Sequence, residues 1–372
     1  MEEWKECKLG DICKSNIYSY SEKDNWAFVN YLDTGNITEN KISDIQFIDL
    51  SSESLPSRAR RKVQINDIIY STVRPNQKHF GIIKNQPENF LVSTGFAVLH
   101  INKTIADPNF VFYNLIQNEN TETLHAIAEQ TTSAYPAIKP SDIENLSIKV
   151  PTLPTQQKIA AILSSLDDKI ELNNKINTNL EQQAQALFKN WFVNFEPFGG
   201  KMPEGWKVGK LSNLITVKYG KDHKKLDDGK YPVYGSGGIM RYVDKFLYDK
   251  ESVLIPRKGT LNNVFYINEP FWSVDTMFYT EMKKENIAKY VYFFVKGKDL
   301  NAMNAGSAVP SMTTEILNAI EVVIPSDEYL EKFENIVSPM FKQIKQCIIE
   351  NEKLVSLRDT LLPKLMNGEI VV

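Results

Sequence analysis

The side chains able to do chemistry are few and scattered. Four histidines, His79, His100, His125 and His223, show neither HExxH nor HxH spacing, so the ligand set of a metal centre is not indicated. Asp275, Glu281 and Lys283 have the make-up of the acidic pair plus lysine with which some nucleases hold magnesium and orient a water. That composition is a common coincidence which charged residues ending a strand explain, and the first half of the chain offers no such trio. No GxSxG elbow occurs, and the cluster Gly235, Ser236, Gly237, Gly238 reads as a turn. There is no P-loop and no Asn-Pro-Pro-aromatic motif. Cys7, Cys13 and Cys347 form no CxxC pair, which leaves a disulfide framework and a thiolate zinc site unsupported. What remains is a chain that binds rather than reacts.

At 372 residues the chain is long enough for two cores. Its 42% hydrophobic and 24% charged residues fit a globular protein. No apolar run approaches the roughly 18 residues needed to cross a bilayer. Met1 to Lys5 lack the basic and apolar regions of a secretion signal, so a cytoplasmic location is expected. Net charge is −3, but it is unevenly spread. Residues 201–325 carry 18 basic against 14 acidic side chains, whereas 1–150 carry 15 against 19.

A repeat organises the sequence. "WKECKLGDI" from Trp4 matches "WKVGKLSNL" from Trp206 at an offset of 202. "SAYPAI" from Ser133 matches "SAVPSM" from Ser307 at 174, and that offset holds ungapped for 60 positions with 11 identities. The first unit therefore holds 28 more residues between its anchors than the second. After each junction comes a seven-residue apolar period. Ile159, Leu166, Asn173, Leu180 and Leu187 have companions Leu163, Ile170, Asn177, Ala184 and Trp191. The second copy runs Phe333, Met340, Cys347, Leu354, Leu361 with Val337, Ile344, Asn351, Arg358, Leu365. The spacing predicts a long helix over Thr155–Phe192, about 57 Å if fully helical, and a second one that Pro339 and Pro363 make less straight. Asn177 and Asn351 share a seam position, which points to one fixed register. Leu166, Leu180, Leu187, Met340, Leu354 and Leu361 are the other expected seam contacts.

Before each helix lie short β-branched runs, "DIIYSTV", "GFAVLHI", "SVLIP" and "NVFYI", broken by Gly, Pro and Asn. Asp107–Glu129 and Asn286–Lys296 read as helices. The fold class is α+β: two globular domains each followed by a long helix, the helices packing as an antiparallel coiled coil. The divisions fall at 1–150, 151–200, 201–325 and 326–372.

This plan resembles the specificity subunit of type I restriction-modification systems over nearly the whole chain. The resemblance rests on the duplicated "WK..KL", on "DIIYSTVRPNQKHFGI" and "STGFAVL", on "YPVYGSGGI", "VLIPRKGTLNNV" and "FWSVDTMFY", and on the junctions "IKVPTLPTQQKIAAILSSLDDKIELN" and "IEVVIPSDEYLEKF". The second junction lacks the Gln pair of the first. The resemblance implies two target-recognition domains, each reading half of a split DNA site, with the helices as spacer and docking surface. It implies two modification subunits that hold S-adenosylmethionine and methylate adenine, and restriction or motor subunits that use ATP and magnesium. This chain is then a non-catalytic, cofactor-free DNA-binding component.

Such a reader needs Arg, Lys, Asn, Ser or Thr on rigidly based loops, because base edges carry sequence while phosphate contacts set position. After "DIIYS" come Thr72, Arg74, Asn76 and Lys78; after "VLIP" come Arg257, Lys258, Thr260 and Asn262. Arg74 and Arg257 stand out as individual candidates. Arg58, Arg60, Arg61 and Lys62, and separately Lys218, Lys221, Lys224 and Lys225, fit phosphate clamps or solvated charge. Ser133, Tyr135 and Ser307 sit where domain meets helix, to approach DNA or to form a turn. An asymmetric site is expected, since the two middles differ. The rival readings are a coiled-coil assembly scaffold without base reading, and a nuclease built on Asp275, Glu281 and Lys283.

Overall fold

Alternation of apolar side chains to two faces explains the central strands of both halves. The computed structural model describes residues 4–130, 136–304 and 310–372. It divides into two compact units, Met1–Leu172 with Glu350–Val372, and Asn173–Ile349.

The first unit contains β1 (Lys5–Lys8), β2 (Cys13–Ser15), β3 (Phe28–Leu32), β4 (Ile37–Thr38), β5 (Lys41–Ile42), β6 (Gln46–Asp49), β7 (Ala59–Lys62), β8 (Ile68–Ser71), β9 (Phe80–Ile82), β10 (Phe90–Ser93) and β11 (Phe96–Ile101). Helices α1 (Pro108–Leu115), α2 (Asn118–Glu129) and α3 (Pro140–Glu144) and strand β12 (Ser147–Val150) follow, before helix α4 (Leu153–Phe192). One sheet has the order β2-β11-β8-β9, another β6-β3-β10-β7, while β1 pairs with β12 and β4 with β5. Along β8 and β11, Ile68, Tyr70, Ala97 and Leu99 face the core that holds α1, and Ile69, Phe96 and Val98 face a second core. Both faces are covered, which is why these strands read as unbroken apolar runs.

The second unit contains β13 (Lys207–Lys210), β14 (Ile215–Tyr219), β15 (Asp228–Gly235), β16 (Gly238–Val243), β17 (Ser252–Pro256), β18 (Phe265–Ile267), β19 (Trp272–Ser273), β20 (Met277–Met282), α5 (Ala288–Lys296), α6 (Thr314–Ala319), β21 (Glu321–Ile324) and helix α7, Asp327–Met366, whose last turns belong to the first unit. Its sheets run β14-β20-β17-β18 and β16-β15-β19, with β13 against β21. The main sheet matches that of the first unit strand for strand, and each unit has a parallel pair, β3/β10 and β15/β19. Val253, Ile255 and Phe278 face one core, Leu254, Met277 and Tyr279 another.

The expected helix 107–129 is two helices. Asp107 caps α1 by accepting from the Asn109 and Phe110 amides at 2.9 and 3.0 Å. At its other end the Asn114 carbonyl accepts from the Gln117 amide and the Asn120 side chain, which closes the helix. The expected start at Asn286 moves to Ala288 because Asn286 takes a left-handed φ of +58°. α4 and α7 are each 40 residues, and α7 continues through Pro339 and Pro363.

Each unit closes its core on parts of both long helices. In the first, Ile159, Ala160 and Leu163 of α4 join Leu365 and Met366 of α7, so the start of one helix lies beside the end of the other. Asp167 accepts from Tyr113 at 2.6 Å and from Arg358 at 2.8 Å. In the second, Phe333 and Val337 of α7 join Ala184, Phe188 and Phe192 of α4. There buried Lys289 of α5 pairs with Glu334 of α7 at 2.6 Å and with Glu251 at 3.1 Å. Beyond α7, Gly368 (φ +76°) lies under the Trp4 indole; beyond α4, Phe195 and Phe198 pack on Trp206. The two tails thus do the same work.

The seam residues Leu166, Asn177, Leu180, Leu187, Met340, Asn351, Leu354 and Leu361 are all half-buried. Asn173 and Cys347, which correspond at the 174 offset, are the buried pair of positions instead. In the second half of α4 the seam positions Asn173 and Ala184 are fully buried, and in the last two turns Phe188 and Phe192 are buried, one residue after the expected Leu187 and Trp191. Phe188 packs against Tyr290, Phe293 and Phe333 with ring centroids 5.4 to 6.3 Å apart. Phe188→Ala is therefore expected to cost about 3–5 kcal/mol and Leu187→Ala distinctly less, measured by urea unfolding; the reverse order would contradict this packing. Burial, with Glu144 adding to it, pushes the Cys13 thiol up to about 12. Alkylation at pH 8 should then leave Cys13 unlabelled in the native chain and label it after denaturation.

Candidate nucleic-acid interface

In both units the loop that leaves the central strand is bolted to the turn before the neighbouring strand. The Thr72 amide donates to the Gly95 carbonyl at 2.8 Å, and the Arg257 amide to the Thr276 carbonyl at 2.8 Å. Phe96 pairs with Ser71, and Met277 with Pro256. Isolated bridges then join Val73 to Ala137 and Lys258 to Ser311. The loops therefore register as Thr72 with Arg257, Val73 with Lys258 and Arg74 with Gly259. The counterpart of Arg257 is thus Thr72, and that of Arg74 is Gly259.

This register carries a backbone signature. Gly259 has φ +86°, and Arg74 takes φ +48° where the other unit uses glycine. A side chain in that region costs about 1 kcal/mol or more, and the Arg74 amide is held there by the Pro136 carbonyl at 2.9 Å. Arg74 and Asn76 are exposed, while Lys78 pairs with Glu39 at 3.1 Å. The Thr72 hydroxyl donates to the Gly95 carbonyl at 2.9 Å, so its role is to fasten the loop. Arg257 is half-buried: its guanidinium lies 5.4 Å from the centre of the Tyr219 ring and donates to the Asp275 carbonyl at 3.1 Å. Lys258 and Thr260 are exposed, and the Asn262 side chain accepts from the Asn301 amide at 3.3 Å. Ser133, Tyr135 and Ser307 lie outside the described residues. The chain just beyond them docks on the same loops, through Ile138 to Thr72 and Met312 to Arg257.

Of the basic clusters, Arg58 is exposed, Lys62 is tied to Asp24, and burial lowers the pKa of Arg61. Lys218 pairs with Glu281 at 3.7 Å, whereas Lys221, Lys224 and Lys225 are exposed on the loop after β14.

The nuclease trio is not assembled. Asp275 lies in the turn before β20 and Glu281 near the far end of that strand, four residues and so about 13 Å beyond Met277. Lys283 donates to the Ser212 carbonyl at 2.6 Å. Among the described residues no cluster of His, Cys, Asp or Glu could hold a metal ion, and no helix is long and apolar enough to cross a membrane.

What the residues alone did not reveal is a cleft of about 570 Å³ in the second unit, walled by Asp222–Lys224, by Gly235–Gly237 with Met240, and by Val274–Thr276. Its signal is the short polar turn between two apolar strands in each copy, Ser93-Thr94-Gly95 and Val274-Asp275-Thr276. The register above makes Thr94 and Asp275 equivalent.

The sequence profile described as the type I restriction modification DNA specificity domain matches residues 1–182 and again 203–357. The HindI specificity subunit of Haemophilus influenzae is 28% identical, covering all of both chains. The MjaIX specificity subunit of Methanocaldococcus jannaschii is 27% identical over 64% of each. The crystal structure of a type I restriction-modification S subunit from M. genitalium shares the fold, with a TM-score of 0.62 at 19% identity over 98% of this chain and 96% of that one. With two copies of the domain covering most of its length, the chain belongs to the type I restriction-modification DNA specificity family.

Proposed function

We propose that each unit reads one half of a bipartite, asymmetric DNA site and that the long helices set the gap between the halves. The observation that carries this reading is one loop framework presenting different chemistry at equivalent positions: Thr72 against Arg257, Arg74 against Gly259, Thr94 against Asp275. A shared backbone with divergent side chains suits two readers of different base sequences. A scaffold without base reading has no need of it. The candidate contacts are Arg74 and Asn76 in the first unit and Lys258 and Thr260 in the second. Ser133, Tyr135 and Ser307 remain candidates beside them.

In this reading the chain supplies the address and partner subunits supply the reaction. Two modification subunits, matching the internal duplication, carry S-adenosylmethionine and methylate adenine. Restriction or motor subunits bring ATP and magnesium. The site of action is the cytoplasm. Net charge of −3 leaves much of the phosphate contact to those partners, so the isolated chain binds DNA weakly.

Modification mapping by single-molecule sequencing of DNA from cells co-expressing this chain with its methyltransferase subunit tests the reading. Methyladenine in a split motif that disappears without the chain is expected, and exchanging either unit should change one half of the motif. Methylation that persists unaltered without the chain would refute it. Arg74→Gly separates recognition from folding. Glycine is at ease at φ +48°, so stability should change by less than about 1 kcal/mol while affinity of the assembled complex for its site falls roughly tenfold or more; unchanged affinity would remove Arg74 from the interface.

A further inference from the structure

We propose that the second unit selects its bases through the cleft beside Asp275, with Asp275 and His223 as specificity-determining residues and a base bearing an exocyclic amino group as the partner of the Asp275 carboxylate. This rests on the reading of that unit as a recognition domain and names where within it the reading is done.

The cleft is a built site. Gly220 of its first wall donates to the Met277 carbonyl at 3.0 Å, and a Cβ there would come within 2.0 Å of the Val274 carbonyl oxygen, so no other residue fits. Lys221 donates its amide to the Ser273 carbonyl at 2.8 Å and accepts from the Trp272 indole at 2.9 Å. The Asn263 side chain ties the rim loop to the Ser236 carbonyl at 2.7 Å. Walls pinned in this way hold polar groups in fixed directions, as base recognition requires.

The polar groups differ in what they have left to offer. Asp222 spends its carboxylate on the Lys224 amide at 3.1 Å. Arg257 spends its guanidinium on Tyr219 and on the Asp275 carbonyl, which makes it a positioning residue for Asp275. By contrast, the exposed Asp275 carboxylate has no hydrogen bond within the described residues, and His223 Nδ1 is buried without a partner. A carboxylate accepts from the amino group of cytosine, and the half-buried His223 imidazole lines the opposite wall of the same cleft. Met240, an exposed apolar side chain, lines the cleft beside them where a thymine methyl group would pack. Lys221, Lys224 and Lys225 lie on the same loop as His223 and face solvent, so one short segment joins phosphate positioning to base reading.

The test uses the methyltransferase assembled from the full chain and its partner subunits. Equilibrium binding is measured to duplexes carrying the mapped motif and to duplexes altered one base pair at a time. Asp275→Asn, which is isosteric and breaks no internal hydrogen bond, should lower discrimination at one base pair of the second half-site by about tenfold and leave the first half-site untouched. His223→Ala should do the same at that or an adjacent position. Wild-type discrimination by both variants overturns the proposal, and so does a uniform loss of affinity on every duplex, which a structural role alone would produce. Exchange of the whole second unit separates the claims. If that exchange changes the motif while both point variants leave it intact, the unit reads DNA elsewhere than in the cleft; if the exchange changes nothing, the recognition reading itself has failed.

Discussion

Neither recognition unit closes its main core without the long helices, and this constraint governs the rest of the molecule. In the first, Gln156, Ile159, Ala160, Leu163 and Asp167 meet the domain; in the second, Leu330, Phe333, Glu334, Val337 and Phe341 do so. These are the same five positions at the 174 offset. The other helix contributes Leu361, Leu362, Leu365 and Met366 in one case, and Leu187, Phe188, Trp191 and Phe192 in the other, again position for position. Burial of this size couples the angle of each domain to its helices, so a loop fixed to the domain is also fixed to the helices beneath it. That rigidity is what reading two separated sites demands.

On top of a shared frame the polar contacts diverge. Asp167 gathers Tyr113 and Arg358 in the first unit, while the second uses the buried Lys289 with Glu334 and Glu251. A buried charge left without its partner is strongly destabilising, which applies to Lys289, whereas Asp167 and Arg358 are partly exposed.

The helices were legible because their signal is local and repeats. Their faces were less so, for a geometric reason. A strict seven-residue seam assumes 3.5 residues per turn, whereas a straight helix drifts by about 20° per heptad. Four heptads separate Ile159 from Leu187, a drift of about 80°, close to one residue's rotation, and the buried position is Phe188. The break at Ile116–Gln117 was hidden because an apolar helix and an amphipathic one abut with no Gly or Pro between them. Strand pairing was out of reach for another reason: partners such as Phe90 and Asn30, or Lys5 and Val150, are distant in sequence. The residue-by-residue match of the two loops lay out of reach on the same point, since only the ladder through Ser71 and Pro256 sets their register.

Asp275 shows how the same residues change meaning once placed. Grouped by type with Glu281 and Lys283 it has the make-up of a catalytic set; on a turn six residues from Glu281 it is a lone acceptor at the mouth of a cleft. A carboxylate near the phosphate backbone is unfavourable for affinity, and three exposed lysines on the facing loop offset that repulsion. Against the wrong base the carboxylate stays desolvated and unpaired, at a cost larger than the bond it forms with the right one. Thr94, its counterpart in the first unit, is neutral and both donates and accepts, so in the same role it would penalise mismatches less. On the proposed reading the two units differ in stringency as well as in sequence, with the sharper discrimination in the half that carries the basic loops.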